Sequence, residues 1–204
     1  MPQPSLTRLD VDGTPRGLVL VLHGGKQASR QVVDGRSASW RRMAAMQRSI
    51  TPEAHAAGVS TWLLRYGVRG WNRGAPVADA RWALEQVRRE LGDVPVVLLG
   101  HSMGGRTAAY VADDPSVVGV VGLAPWWQRD DPVSALAGKH VRAAHGRTDK
   151  ITSARMTRAY LDRAAPVAAS VAFEDMGRVG HYMLRNVPAW NELAAREALE
   201  LFAV

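Results

Sequence analysis

The chain has no cysteine, which excludes a disulfide framework and a thiolate metal site. It has no apolar run of the length that spans a bilayer, so no transmembrane helix is expected and no membrane partner is called for. The opening residues, Met1-Pro-Gln-Pro-Ser-Leu-Thr-Arg, lack the basic-then-apolar layout of a signal peptide, and a cytoplasmic location follows as the default. Lysine is scarce: Lys26, Lys139 and Lys150 are the only three among 26 basic residues. The remaining basic residues are arginines, scattered along the chain rather than gathered into a basic helix. The net charge of +7 therefore reads as a composition bias toward Ala, Gly and Arg, and no nucleic-acid partner is expected. The histidines fall on separate loops without paired ligand spacing, so no metal is expected. No P-loop lysine or G-x-G-x-x-G spacing accompanies the glycines at 100–105, which argues against a nucleotide. No repeat or linker divides the chain. Its 204 residues, 47% of them hydrophobic, fit one compact domain over 1–204 with a weakly patterned N-terminal edge segment at 1–15.

What the chain does have is centred on Val94-Pro-Val-Val-Leu-Leu-Gly-His-Ser-Met-Gly-Gly-Arg-Thr-Ala-Ala-Tyr-Val. Val96 to Leu99 form a continuous apolar run suited to a strand buried on both faces. The run ends at Gly100-His101-Ser102-Met103-Gly104-Gly105, and Ala108, Ala109 and Val111 then suit a helix packed beneath the strand. A strand, a sharp turn and a helix around G-x-S-x-G make a nucleophile elbow. Gly100 and Gly104 remove the Cβ atoms that would clash, Ser102 is lifted above the sheet, and the Met103 amide points at a developing oxyanion. By chance alone this five-residue pattern arises in roughly one chain in ten of this length, so its surroundings have to decide.

A serine hydroxyl needs a histidine to take its proton and an acid to orient that histidine. Downstream, Val141-Arg-Ala-Ala-His-Gly-Arg-Thr-Asp carries Asp149 in the loop after a strand, and Val171-Ala-Phe-Glu-Asp-Met-Gly-Arg-Val-Gly-His carries His181 in the loop after another. Glu174, Asp175, Asp130 and Asp131 also lie near strand ends, but Asp175 follows the histidine's own strand and suits bracing that loop. Upstream, an apolar strand runs into His23-Gly24-Gly25-Lys26, where a second oxyanion amide belongs. His23 and His101 sit on the turns themselves and are expected to point away from Ser102.

These four segments, V-L-H-G-G at 21–25, G-H-S-M-G-G at 100–105, H-G-R-T-D at 145–149 and G-H at 180–181, make the chain resemble the α/β-hydrolase superfamily. The likeness is to its small bacterial serine esterases without a large lid, of the dienelactone-hydrolase and carboxylesterase kind, and it covers nearly the whole chain from Leu18 onward. It implies Ser102 as nucleophile, Asp149 as orienting acid and His181 as base. The Met103 and Gly25 amides are the implied oxyanion hole, with Lys26 the alternative to Gly25. No cofactor is implied.

Taken in order, the pattern predicts an edge strand near Leu6–Val11, a buried strand over 18–22, a helix over 39–55 and a strand over 59–66. A helix over 75–91, the elbow, and a strand over 117–124 follow. Pro52 puts the end of the first helix in question. Beyond lie a strand over 140–144, a helix from Thr152 or Ser153 to 165, a strand over 167–173 and a final helix over 188–202. About six core strands alternating with helices make an α/β fold with a doubly wound, mostly parallel sheet and no large cap. Trp126 and Trp127, adjacent after a strand end, either wall a substrate pocket or divide between core and loop. Lys26 and Trp71 are further candidates for contacting substrate, while Arg69 and Asn72 suit loop bracing.

The chemistry implied is hydrolysis of carboxylic esters through an acyl-enzyme, with a small-molecule ester or acyl substrate as partner; the sequence leaves the oligomeric state open. The same three residues also serve thioesterases, lactonases and acyltransferases, and a non-catalytic binding protein of this fold is a further alternative.

Overall fold

The computed structural model describes residues 2–203, and among them the chain forms seven strands, five α-helices and one short 3-10 turn. Strands β2 (Gly17–Leu22), β3 (Val59–Arg65), β4 (Val96–His101), β5 (Val117–Leu123), β6 (His140–His145) and β7 (Ser170–Asp175) run parallel, and β1 (Ser5–Leu9) is added antiparallel at one edge. The spatial order is β1-β3-β2-β4-β5-β6-β7. Every residue of β2 and β4 is buried, as an unbroken apolar run requires when helices cover both faces. The faces alternate along each strand. Leu18, Leu20, Leu22, Val96 and Leu98 meet the layer of α2 (Ala75–Leu91), α3 (Met103–Val111) and α4 (Ala154–Ala164). Val19, Val21, Val97 and Leu99 meet the layer of α1 (Ala38–Ala56) and α5 (Val187–Glu200).

From β2 the chain moves outward through α1 to β3, then returns past β2 through α2 to β4. The strand order reverses between β2 and β4, so their carboxyl ends open the crevice where such sheets hold ligands. Gly24–Gly25 and Ser102 leave the sheet side by side at this point. The connection from β5 to β6 contains only the 3-10 turn Ser134–Leu136, which leaves no large cap over the crevice. No helix among the described residues is long and apolar enough to cross a membrane.

Two elements depart from the sequence pattern. Helix α1 continues through Pro52 to Ala56, the carbonyl that loses its partner belonging to Arg48 at an exposed position. The last strand begins at Ser170 rather than 167, because the amides of Val167 and Ala168 both donate to the Ala164 carbonyl (3.0 and 2.9 Å) and wrap the end of α4. Val167 is apolar yet 40% exposed there.

The elbow depends on backbone contact between α3 and the strands. A Cβ on Gly104 would lie 2.8 Å from the His23 carbonyl oxygen and closer still to that of Leu22. Both are backbone atoms of the central strand end and cannot yield. Gly104→Ala is therefore expected to cost about 3 kcal/mol or more, a fall of about 6–12 °C in Tm for a chain of this size. Thermal denaturation followed by circular dichroism checks it, and an unchanged Tm would contradict this packing.

Candidate active site

Ser102 occupies the turn between β4 and α3 with φ 53° and ψ −116°, a left-handed conformation that a side chain rarely adopts. Three backbone bonds hold it there. Its amide donates to the Leu123 carbonyl (3.1 Å), and its carbonyl accepts from the amides of Arg106 (3.2 Å) and Trp126 (3.0 Å). The side chain is thereby presented at the crevice, and the Ser102 hydroxyl lies 3.0 Å from His181 Nε2.

His181 comes from the loop after β7. Its Nδ1–H donates to Asp149 Oδ2 at 2.8 Å, which leaves Nε2 as the acceptor facing Ser102. Asp149, from the loop after β6, also accepts from His145 Nε2 (3.1 Å) and the Thr152 hydroxyl (2.9 Å) on the same oxygen. Its other oxygen takes the amides of Ile151 (2.8 Å) and Thr152 (2.9 Å). Burial alone would raise this carboxyl's pKa. The bonds from His145, His181 and the two amides outweigh it and hold the group well below the usual carboxylate range. His145 is itself fully buried and accepts from the Thr157 hydroxyl (2.9 Å) through Nδ1, which fixes its tautomer.

The Met103 amide opens α3, where helix geometry supplies no acceptor. Gly25 is packed against it: a Cβ on Gly25 would strike the Met103 thioether. Among the described residues neither amide has a hydrogen-bond acceptor. The alternative amide is excluded, since Lys26 donates its N–H to the Arg69 carbonyl (2.8 Å). The arrangement can take a proton from Ser102 and offer two unpaired amides beside it.

A cleft of about 170 Å³ holds Ser102 and His181 and is walled by Ala38, Ser39, Arg42, His101, Tyr182 and Leu184. None of the four side chains expected from sequence to touch substrate lines this cleft, although Trp126 and Trp127 border a second space beside Asp149. Trp127 is 2% exposed, donates to the Gly105 carbonyl (3.0 Å) and stacks on Tyr160 at 4.5 Å, as a core residue does. Trp71 and Trp126, set edge to face, both contact the Arg106 guanidinium at 4.3 and 4.6 Å, and Arg106 is held by buried Asp131 at 2.6 Å. Lys26 is exposed and outside the cleft wall. Arg69 and Asn72 brace loops, Asn72 through reciprocal bonds with Ser29 (3.0 and 2.8 Å). His23 does point away, its ring donating to the Gly24 carbonyl (2.7 Å) and accepting from the Tyr66 amide (3.3 Å). His101 does not: its ring lies 4.9 Å from that of His181, and its Nε2–H donates to the His181 carbonyl at 2.9 Å. Sequence reasoning missed Ser39, Arg42, Tyr182 and Leu184 as walls. The signal available was position alone, since α1 follows the Gly24–Gly25 loop and Tyr182 adjoins His181.

A family model described as the α/β-hydrolase fold matches residues 17–191. No curated protein matches the chain. Among solved structures, an α/β serine hydrolase homologue from Coxiella burnetii is 16% identical with a TM-score of 0.73, over 95% of this chain and 91% of that one. Est1E from Butyrivibrio proteoclasticus is 13% identical with a TM-score of 0.73, over 98% and 94%. A monoacylglycerol lipase from Paleococcus ferrophilus is 18% identical with a TM-score of 0.64, over 98% and 99%.

Two of the buried histidines beside this site, His23 and His101, set an acid limit on stability. Burial lowers His23 from 6.5 to about 4 against the pull of its bond to Gly24, and burial with the neighbouring His181 lowers His101 from 6.5 to about 3. Below pH 6.5 the unfolded chain takes up protons that the folded chain refuses, so stability falls with pH, by up to about 1.4 kcal/mol per pH unit for each histidine. Asp149 acts in a lower window, its stabilisation lost only as pH falls below the ordinary carboxylate range. Urea denaturation at pH 7, 6 and 5 is expected to show this loss, with a shallower slope in His23→Gln. Equal slopes would place the titration elsewhere.

Proposed function

The chain belongs to the α/β-hydrolase fold family, and on that premise we propose that it is a serine hydrolase cleaving carboxylic esters. The observation that carries the reading is the unbroken hydrogen-bond path from Ser102 through His181 to Asp149, at 3.0 and 2.8 Å, beside two amides without acceptors. In this reaction His181 Nε2 takes the Ser102 proton as the hydroxyl oxygen attacks the ester carbonyl. The carbonyl oxygen becomes an oxyanion received by the Met103 and Gly25 amides. His181 returns the proton to the departing alcohol, leaving an acyl group on Ser102. Water then repeats the sequence, giving its proton to His181 and releasing the acid and the free serine. The Asp149 carboxylate keeps Nε2 unprotonated and facing Ser102, and stabilises the imidazolium as it forms. The small open cleft suits short or medium acyl groups.

A fluorophosphonate probe and p-nitrophenyl esters of increasing acyl length test this. The wild-type protein is expected to be labelled and to turn over the shorter esters. Ser102→Ala should lose both labelling and turnover, and Asp149→Asn should lower kcat by about 10³–10⁴-fold through the wrong histidine tautomer. Labelling that persists in folded Ser102→Ala would reject Ser102 as the nucleophile, and no labelling of folded wild type would turn the reading toward a binding protein of the same fold.

A further inference from the structure

Arg42 is a cation without a counter-ion at the wall of this cleft. Its Nε and Nη2 are buried and have no hydrogen-bond partner. No carboxylate pairs with it among the described residues. Arg42 is half-buried, and that burial pushes the guanidinium's pKa down. Such donors are ordinarily satisfied, and Arg42 lines the same cleft as Ser102 and His181.

A neighbouring groove of about 490 Å³ shares Ala38, Arg42 and Leu184 with the cleft and also carries Arg36, Arg41 and Arg48. None of these arginines is in an ion pair among the described residues. No acidic residue lines either space. Trp40 lies in the same groove, with its indole Nε1 buried and lacking an acceptor. The nearest acid in sequence, Asp34, is taken by the Ser37 hydroxyl (2.9 Å), the Arg36 amide (3.1 Å) and Arg69 (3.2 Å). Ser37 therefore does not cap α1, whose first turn carries no acid and whose Ala38 and Ser39 line the cleft. The positive end of that helix adds to the same field. Unpaired cations and a helix N-terminus line the space next to Ser102.

We infer that Arg42 and the groove it opens into bind an oxyanion carried by the substrate. The ester cleaved at Ser102 then bears a carboxylate or phosphate on the part of the molecule remote from the scissile bond. This rests on the hydrolase reading above and names the substrate class for it. The planar guanidinium suits both groups, since each offers paired oxygens.

Two pairs of esters matched in shape test it: p-nitrophenyl hemiadipate against its methyl ester, and 4-acetoxyphenylacetate against its methyl ester. The charge lies in the acyl part of the first pair and in the leaving group of the second. The wild-type protein is expected to favour the anionic member of one pair by about tenfold or more in kcat/KM. That preference should shrink as ionic strength rises from about 0.02 to about 0.5 M. Arg42→Gln should lower the anionic-to-neutral ratio about tenfold, Arg42→Lys should retain part of it, and Arg41→Gln with Arg48→Gln should lower it less. Benzoate and phenyl phosphate as competitive inhibitors separate the two oxyanions, the tighter one identifying which the site prefers. A ratio unchanged by Arg42→Gln, or a preference for the neutral ester in both pairs, overturns the inference. If the wild-type protein cleaves none of the four esters, the hydrolase reading fails on its own. Calorimetric titration with phenyl phosphate then decides the anion site: binding weakened in Arg42→Gln upholds it, and absence of binding rejects it.

Discussion

A carboxylate with 1% of its side chain exposed costs several kcal/mol unless its lone pairs are filled, and at Asp149 they are filled from three directions. His145 reaches it from the end of β6, Thr152 and Ile151 from the loop leading into α4, and His181 from the loop after β7. The single negative charge thus fixes the relative positions of two strand ends and a helix entrance. Remove it, and His145 and Thr152 lose a partner in the same step that frees His181 to turn. The orientation of the Ser102 partner and the packing of this sheet edge are therefore one problem, solved by one group.

The other half of the site rests on geometry rather than charge. Ser102 keeps its left-handed backbone because three backbone hydrogen bonds clamp it, and the helix beneath approaches the β2 end as closely as a glycine allows. The strain is local and the support is the central, fully buried part of the sheet. On either side stand two histidines kept neutral by burial, His23 under Tyr66 and His101 against His181. Neutral rings there hold loops through hydrogen bonds without adding a positive charge that would oppose proton uptake by the neighbouring imidazole.

The parallel sheet, the elbow and the three strand-end loops were legible in sequence because each is written locally. Unbroken apolar runs declare buried strands, and G-x-S-x-G declares a close helix–strand approach. Strand-following loops place Ser102, Asp149 and His181 at one edge without any knowledge of side-chain contacts. The cleft walls were not legible in this way. Trp126 and Trp127 are adjacent in sequence and fall on opposite sides of one loop, one buried against Tyr160 and the other laid over Arg106. Which tryptophan faces solvent depends on the loop's path, and that path is set by buried Asp131, which accepts from Arg106, Tyr110 and the Gln128 amide. No spacing rule reports such a network.

The arginines show the same limit from the side of charge. Along the chain Arg36, Arg41, Arg42 and Arg48 look like part of a general surplus, and the surplus was read as composition. In space they share one groove, because α1 begins beside the Gly24–Gly25 loop and turns these positions toward the crevice mouth. Elsewhere the arginines with acids in reach are paired, as Arg81 is with Asp113, Arg88 with Asp114 and Arg147 with Asp175. Where the chain has acids to spend, it spends them away from this groove. The site is consequently polarised, with the negative charge of Asp149 behind His181 and uncompensated positive charge across the cleft. A neutral ester would use only the first of these. An ester with its own negative charge would use both, and that would also offset the desolvation that Arg42 now bears alone.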